Sequence, residues 1–192
     1  MKKYKGLKIF MAIVIVIALT FGGTRLVRNL IRPEVAYDSV YQFDMESRTV
    51  ALNNGIEMPI LGIGTYMLSA EEAENSIYHA LLDGYHLIDT ANAYMNEKAV
   101  GRGIKKAIDE GAVSREDIFV TAKIWPTEYG RMDDAINETL DRLDLEYLDL
   151  VLLHQPFADY ITGYQGLEKA VEDGRVRAIG VSNFIKMILM RS

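Results

Sequence analysis

The stretch Leu148-Asp149-Leu150-Val151-Leu152-Leu153-His154 is a short, mostly apolar run that ends in a polar residue. Four other stretches have the same form, so that the five runs occupy residues 60–65, 86–89, 118–123, 148–154 and 178–183. The polar residues near the ends of the last four follow one another at intervals of 34, 31 and 28 positions, at Asp89, Lys123, His154 and Ser182. Each interval is the length of a strand, a helix and a return strand. The spacing therefore predicts a repeated βα unit.

The segments between these runs are predicted to be amphipathic helices, because their apolar residues recur at helical spacing and their other faces are charged. Ser69 and Glu72 form a capping-box pattern at the start of the first helix, and Gly84 follows its last turn. The predicted inner faces, helix by helix, are Ala73, Ile77, Ala80 and Leu81; Val100, Ile104, Ala107 and Ile108; Met132, Ile136, Leu140 and Leu143; and Leu167, Ala170 and Val171.

Strands joined by helices are parallel and covered on both faces, and α/β barrels keep their chemistry at the carboxyl ends of such strands. Five βα units cannot close an eight-stranded barrel, which typically needs about 250 residues. The pattern alone leaves two α/β folds open: an open doubly wound sheet, or an incomplete (β/α)8 TIM barrel.

The composition is that of a globular chain, with 49% apolar and 25% charged residues. Residues 1–33 contain seven of the 21 basic residues and no acidic ones, which leaves 14 basic against 27 acidic residues in the remainder. An acidic body argues against nucleic acid as a partner. The chain has no cysteine, so disulfides, thiol catalysis and thiolate metal sites are excluded. His79 and His86 lack metal-type spacing to other ligands, and no metal is predicted.

Residues 1–33 are predicted to be a membrane anchor or signal segment, because four lysines precede the uncharged run 9–24. No clear cleavage site follows, which favours an uncleaved hydrophobic helix that attaches the chain to a membrane. Residues 34–46 are predicted to be a linker, and residues 47–192 a partial barrel. Asn53-Asn54-Gly55 between two strand-like runs predicts a β-hairpin, which would close one end of the barrel.

Five stretches together resemble the aldo-keto reductase family, in order and at the family's spacing, over about residues 50–184. Gly62-Ile63-Gly64-Thr65-Tyr66 resembles the family's start, and residues 89–97, which begin with Asp89-Thr90-Ala91, resemble its first signature. Val120-Thr121-Ala122-Lys123-Ile124-Trp125 resembles the third-strand lysine segment, and Leu152-Leu153-His154-Gln155-Pro156 resembles the fourth-strand histidine segment. Residues 174–184, which end in Ser182-Asn183-Phe184, resemble the fifth-strand signature. The chain looks most like bacterial members that reduce diketogluconate, methylglyoxal and similar carbonyls. The resemblance implies the incomplete barrel, with about five βα units after the hairpin.

The resemblance also implies a catalytic group of Asp89, Tyr94, Lys123 and His154, and the chemistry agrees. A ketone that receives a hydride needs a proton on its oxygen from a general acid within hydrogen-bond reach. A free tyrosine, with a pKa of about 10, donates poorly at neutral pH unless a cation lies close. Lys123 would place that cation beside Tyr94, Asp89 would balance its charge, and His154 could orient the substrate carbonyl.

Each of these four residues also has an ordinary structural interpretation. Asp89 could cap a helix, Tyr94 could be a packing residue, Lys123 could be a solvated lysine and His154 a core histidine. Four such coincidences in the family's order are improbable, so the catalytic interpretation is the stronger one.

The resemblance further implies NADPH as cofactor and a small carbonyl compound as substrate. Ser182 and Asn183 match family positions that bind the nicotinamide carboxamide, although either could instead cap the next helix. Gly64 and Thr65 match a segment near the cofactor, and Asp89 joins this set. Tyr66 and Trp125 match the walls of the substrate pocket, together with His154. The stretch Gly101-Arg102-Gly103 lies inside a predicted helix and is not expected to bind phosphate.

After Phe184 the sequence no longer follows the family pattern, which predicts a truncated barrel with impaired activity. Three hypotheses follow: an NADPH-dependent carbonyl reductase, an inactive membrane-tethered fragment, and an interaction module that reuses half a barrel. Because the family is mostly cytosolic and uses a nicotinamide cofactor, the catalytic part is predicted to lie in the cytoplasm. Oligomeric state is not predicted.

Overall fold

The computed structural model describes residues 43–44 and 46–184. The predicted hydrophobic helix within residues 1–33 lies outside these residues, as does most of the predicted linker. The described helices include none that is both long and apolar enough to cross a membrane. The first strand, β1 (Phe43–Asp44), falls inside the range that the sequence predicts as linker.

A small antiparallel sheet comes first, and it contains the predicted hairpin. Strand β1 pairs with β2 (Thr49–Ala51), which pairs with β3 (Glu57–Pro59). Gly55 at the turn has a φ of 81°, a left-handed conformation that glycine adopts without strain. The Asn54 side chain donates a hydrogen bond of 3.0 Å to the carbonyl of Arg177, which attaches the hairpin to the beginning of the last strand.

The main sheet has five parallel strands in sequence order, which confirms the predicted βα repeat. Every residue of the central strand is buried, as expected where helices and a barrel interior cover both faces. The strands begin and end within about two residues of the predicted runs, and the sheet is five-eighths of a (β/α)8 barrel. They are β4 (Gly62–Gly64), β5 (Leu87–Asp89), β6 (Phe119–Ile124), β7 (Leu148–Leu153) and β8 (Val176–Val181).

Four helices separate the strands: α1 (Ala70–Leu82), α2 (Glu97–Asp109), α3 (Met132–Leu143) and α4 (Tyr160–Glu172). The capping box at Ser69 and Glu72 is present, as predicted. The predicted inner-face residues are buried except for two: Ile108 is half-buried against the core, and Val171 is 38% exposed. The prediction for Val171 was wrong because it lies one position, about 100° around the helix, past the buried Ala170.

The glycines of the Gly-Arg-Gly stretch serve helix packing. A Cβ at Gly101 would clash with the carbonyl oxygen of Leu143 in α3, and one at Gly103 would lie 2.6 Å from the carbonyl oxygen of Glu74 in α1. Helix α2 therefore approaches both neighbours at distances that only glycine permits. Close helix packing thus accounts for the two glycines of this stretch, and a phosphate-binding role is not needed to explain them.

An ion cluster, formed by the buried Asp149 with the more exposed Arg115 and Arg177, lies at the amino end of the sheet. Asp149 has no exposed surface and accepts hydrogen bonds from Arg115 at 2.8 Å, Arg177 at 2.7 Å and the backbone N–H of Val120 at 2.9 Å. Both guanidinium groups lie over the ring of Tyr147. The cluster joins β6, β7 and β8 at the end opposite to the carboxyl ends of the strands.

Candidate active site

Three of the four predicted catalytic residues lie at the carboxyl ends of consecutive strands. Asp89 is the last residue of β5, Lys123 is the penultimate residue of β6, and His154 directly follows β7. The parallel register pairs Asp89 with Thr121 and Lys123 with Leu152, so these ends meet at one face of the barrel. Lys123 and His154 are each only 8% exposed.

The ammonium group of Lys123 is the centre of the site. It forms an ion pair with the carboxylate of Asp89 and donates to the carbonyl of Thr90 at 3.1 Å. It also lies 3.3 Å from the hydroxyl oxygen of Tyr94. A nearly buried ammonium group needs hydrogen-bond or charged partners in place of water. Asp89 and Thr90 are these partners, and they stabilise the positive charge of Lys123 beside Tyr94.

Tyr94 is positioned by a short 3₁₀ helix, Asn92–Tyr94, which follows β5. The helix ends at Met95, whose φ of 60° turns the chain sharply away. The Tyr94 ring contacts those of Tyr66, at 5.0 Å between centroids, and His154, at 5.7 Å. Tyr94 is thus held by ring contacts with Tyr66 and His154, while its hydroxyl oxygen lies close to the cation of Lys123.

The imidazole of His154 packs perpendicular to the ring of Trp125, with centroids 5.0 Å apart. Burial lowers the pKa of His154 below its ordinary value, and the nearby charge of Lys123 lowers it further, while Asp89 opposes this shift. His154 is therefore neutral at pH 7 and has one N–H donor and one acceptor nitrogen. Its Nδ1 is buried and has no hydrogen-bond partner among the described residues.

The predicted cofactor residues lie around the same face, in different environments. Ser182 and Asn183 follow β8, where Asn183 donates to the carbonyl of His154 at 2.9 Å. Gly64 ends β4 and is exposed. Thr65 is fully buried, and its hydroxyl lies 3.2 Å from the carbonyl of Asp89 and 3.0 Å from the hydroxyl of Thr90. Thr65 therefore helps to hold the Asp89 backbone in place through the hydrogen bond to its carbonyl.

The predicted pocket walls, Tyr66 and Trp125, contact the rings of Tyr94 and His154, respectively. Tyr66 is 66% exposed, so its ring borders the opening of the site. Phe157, which the sequence interpretation omitted, meets Trp125 edge-on at 6.0 Å and extends this wall. An aromatic residue in the loop after a strand-end histidine was the available signal.

Two asparagines were also missed as parts of the site. Asn92 accepts a hydrogen bond from the backbone N–H of Trp125 at 3.0 Å, and thus joins the loops that follow β5 and β6. Asn96 is buried and donates to the carbonyls of Thr65 and Leu68, which holds the loop that carries Tyr66. Both lie within the first signature stretch, where repeated asparagines between short apolar residues were the signal.

Residues 60–190 match the sequence model of the aldo/keto reductase family. The chain belongs to this family. It is 46% identical over 140 residues to the glyoxal reductase of Bacillus subtilis, covering 71% of this chain and 49% of that protein. It is 45% identical over 146 residues to the morphine 6-dehydrogenase of Pseudomonas putida, covering 73% of this chain and 48% of that protein.

A solved aldo-keto reductase from Bombyx mori, in complex with NADP, has the same fold as the described residues. The TM-score is 0.70 at 37% identity, and the match covers 75% of this chain and 54% of that one. The chain spans about half the length of the aldo/keto reductase relatives it matches. The resemblance and the fold predicted from the sequence are thus confirmed.

Proposed function

We propose that this chain carries the proton-donor machinery of an oxidoreductase that reduces small aldehydes and ketones to alcohols with NADPH. The observation that supports this most is the position of Lys123, whose ammonium group lies between the Asp89 carboxylate and the Tyr94 hydroxyl. That arrangement suits a tyrosine that must lose its proton during the reaction, because the cation stabilises the phenolate that forms.

In the proposed reaction, the substrate carbonyl oxygen lies within hydrogen-bond reach of the Tyr94 hydroxyl and the His154 imidazole. NADPH, when bound, supplies the hydride that adds to the carbonyl carbon. The carbonyl π electron pair moves to the oxygen, which takes the proton of Tyr94. Lys123 stabilises the resulting phenolate, and solvent returns the proton to Tyr94 afterwards.

His154 is suited to orient the substrate. Because its pKa is lowered by burial and by Lys123, the imidazole is neutral and can donate one hydrogen bond to the carbonyl without adding a second cation. The hydrogen bond favours one orientation of the substrate relative to Tyr94. Correct orientation of this kind lowers the entropic part of the barrier.

The residues at the carboxyl end of β8 fit the nicotinamide part of the cofactor. A carboxamide needs both donors and acceptors, and the Ser182 hydroxyl and the Asn183 amide supply both. Asp89 lies within the same face, and Gly64, which is open above its Cα, allows close approach. Thr65 contributes by holding the Asp89 backbone. We propose NADPH as cofactor because the Bombyx mori relative is in complex with NADP.

Small carbonyl compounds are the substrates that we propose. Tyr66 and Trp125 present apolar rings beside Tyr94 and His154, so a compact substrate can be held by one hydrogen-bonded oxygen and by aromatic contacts. The relatives include a glyoxal reductase and NAD(P)H-dependent D-xylose reductases, which indicates small aldehydes as the first compounds to assay.

The assay should use two polypeptides, because the 192 residues span about half the length of the relatives. One is the chain itself. The other joins residues 1–184 to the C-terminal half of the Bacillus subtilis glyoxal reductase. We expect the joined protein to consume NADPH in the presence of methylglyoxal and to form the alcohol, and the 192-residue chain to bind NADPH weakly and to turn over slowly.

Absence of methylglyoxal-dependent NADPH consumption in the joined protein, despite a folded barrel and bound NADPH, would contradict the proposed reduction. It would favour the alternatives predicted from the sequence, an inactive fragment or an interaction module. NADPH binding by fluorescence separates this result from a simple loss of cofactor affinity.

From the sequence pattern alone, we also propose that residues 9–24 attach the chain to a membrane. The lysines that precede this uncharged run favour such an attachment. Fractionation after expression tests it: the full chain is expected in the membrane fraction, and its recovery as soluble protein without detergent would contradict the proposal. A cytoplasmic location of the barrel residues is proposed separately, because the family that the chain resembles is mostly cytosolic and uses a nicotinamide cofactor.

A further inference from the structure

The hydroxyl of Tyr129 holds the residue that follows His154 at both of its backbone polar groups. It donates a hydrogen bond of 2.8 Å to the carbonyl of Gln155 and accepts one of 3.1 Å from the backbone N–H of Gln155. Tyr129 lies in the 3₁₀ helix Pro126–Arg131 and is 1% exposed. A single side chain thus anchors the beginning of the loop after β7.

His154 needs such an anchor because few contacts hold its own ring in place. Its Nδ1 is buried without a hydrogen-bond partner among the described residues, and the contacts that orient the ring are edge-on packing against Trp125 and Tyr94. Its backbone N–H donates to the carbonyl of Ile124 at 3.0 Å, and its carbonyl accepts from the Asn183 side chain at 2.9 Å. The direction of the imidazole is therefore set mainly by the backbone on either side of the residue.

We infer that Tyr129 is a positioning residue for His154, acting through Gln155 to hold the imidazole at the catalytic face. The catalytic consequence of this role rests on the proposed function, whereas the structural role does not. Without the Tyr129 hydroxyl, the part-buried N–H and carbonyl of Gln155 lose their partner, and we expect the loop after β7 to shift so that these groups find others.

The Tyr129 ring is itself rigidly placed, which makes it an effective anchor. A Cβ at Gly163 in α4 would lie 2.9 Å from Cγ of Tyr129, so the helix backbone packs directly against the ring. Burial raises the pKa of Tyr129, and the hydroxyl therefore keeps its proton at neutral pH. Tyr129 therefore connects the 3₁₀ helix Pro126–Arg131 with α4, through its ring, and with the end of β7, through its hydroxyl.

The sequence of the loop beyond Gln155 explains why the two hydrogen bonds of Tyr129 also affect the position of the residues that follow. Pro156 follows directly, and a residue before proline is restricted to extended conformations. Movement at Gln155 is therefore transmitted along the loop to Phe157, which packs on Trp125, the ring that His154 also contacts.

The test is Tyr129→Phe in the full chain, which keeps the ring and removes the hydroxyl. Tyr78→Phe is the matched control, because the Tyr78 hydroxyl donates to Glu110 at 2.6 Å on the exposed face of α1 and α2. The readout is the NMR titration of the imidazoles. The chain has three histidines, and His154→Gln identifies the signal of His154.

In the parent chain, His154 is expected to titrate below the ordinary value of about 6.5, since burial and Lys123 disfavour its charged form and Asp89 compensates only partly. In Tyr129→Phe, displacement of the imidazole toward solvent should raise this pKa toward the ordinary value. The Tyr78→Phe control should titrate like the parent. An unchanged His154 titration in folded Tyr129→Phe overturns the inference.

Should Tyr129→Phe fail to fold, Gly163→Ala displaces the same ring while retaining the hydroxyl, and the same pKa rise is expected; an unchanged titration there overturns the inference equally. In the joined protein, Tyr129→Phe should lower kcat about tenfold or more with a smaller change in KM, as expected for misplaced catalytic groups. If the His154 titration shifts in Tyr129→Phe but the joined protein with parental Tyr129 lacks reductase activity, the positioning role stands and the proposed function is rejected.

Discussion

Tyr94→Phe is expected to lower kcat for carbonyl reduction in the joined protein by about 10²–10⁴-fold, the usual effect of losing a general acid. The substitution removes the hydroxyl that lies 3.3 Å from the Lys123 ammonium group and keeps the ring that contacts Tyr66 and His154. Folding and NADPH binding should therefore survive. Single-turnover kinetics with methylglyoxal, compared with the melting temperature of the same sample, measure the two effects separately.

Tyr78→Phe serves again as the control, because it removes a tyrosine hydroxyl far from the catalytic face. It should reduce methylglyoxal at the parental rate. If Tyr94→Phe kept the parental rate of reduction, the proton would have to come from another group, and the role proposed for Tyr94 would be wrong.

Asp149→Asn is expected to lower the free energy of unfolding by about 3 kcal/mol or more, the usual cost of breaking a buried ion pair. The carboxylate accepts hydrogen bonds from two arginines and from the N–H of Val120, so an amide would direct its own N–H groups toward at least one donor. Urea denaturation of both chains gives the difference.

Asp109→Asn is the matched control for this prediction. Asp109 pairs with Lys105 on the surface of α2, and both side chains are 59% exposed. Exposed pairs contribute little, and the change in stability should stay below about 0.5 kcal/mol. Equal effects at the two positions would show that the ion cluster around Asp149 stabilises the fold no more than an exposed pair does.

The fold was largely predictable because its signals are local. Apolar runs of strand length, each with a polar residue near its carboxyl end, specify buried parallel strands, and Asn53-Asn54-Gly55 specifies the hairpin. The strand-end rule by itself selects Asp89, Lys123 and His154, since the parallel register brings these ends to one face. Tyr94 lies beyond the strand, and only the family resemblance indicated it.

The residues that sequence reasoning missed act over long separations. Asp149 is bound by Arg115 and Arg177, which lie 34 and 28 positions away, and nothing in the local pattern pairs them. Tyr129 acts from a 3₁₀ helix, where no regular periodicity marks the buried side. Thr65, which the family resemblance places near the cofactor, is buried, and the sequence did not indicate that its hydroxyl would lie 3.2 Å from the Asp89 carbonyl and 3.0 Å from the Thr90 hydroxyl.

The ion cluster around Asp149 and the catalytic face lie at opposite ends of the same strand. Asp149 is the second residue of β7 and His154 follows its last, a separation of roughly 16 Å along an extended chain. Substitutions that far apart, without shared partners, usually have additive effects on stability. Selection can therefore change the loop that carries Tyr66, or the aromatic residues Trp125 and Phe157, for new substrates while the amino ends of the strands keep the protein folded. A library of variants at the carboxyl ends of the strands should contain more folded proteins than a library of equal diversity at the amino ends.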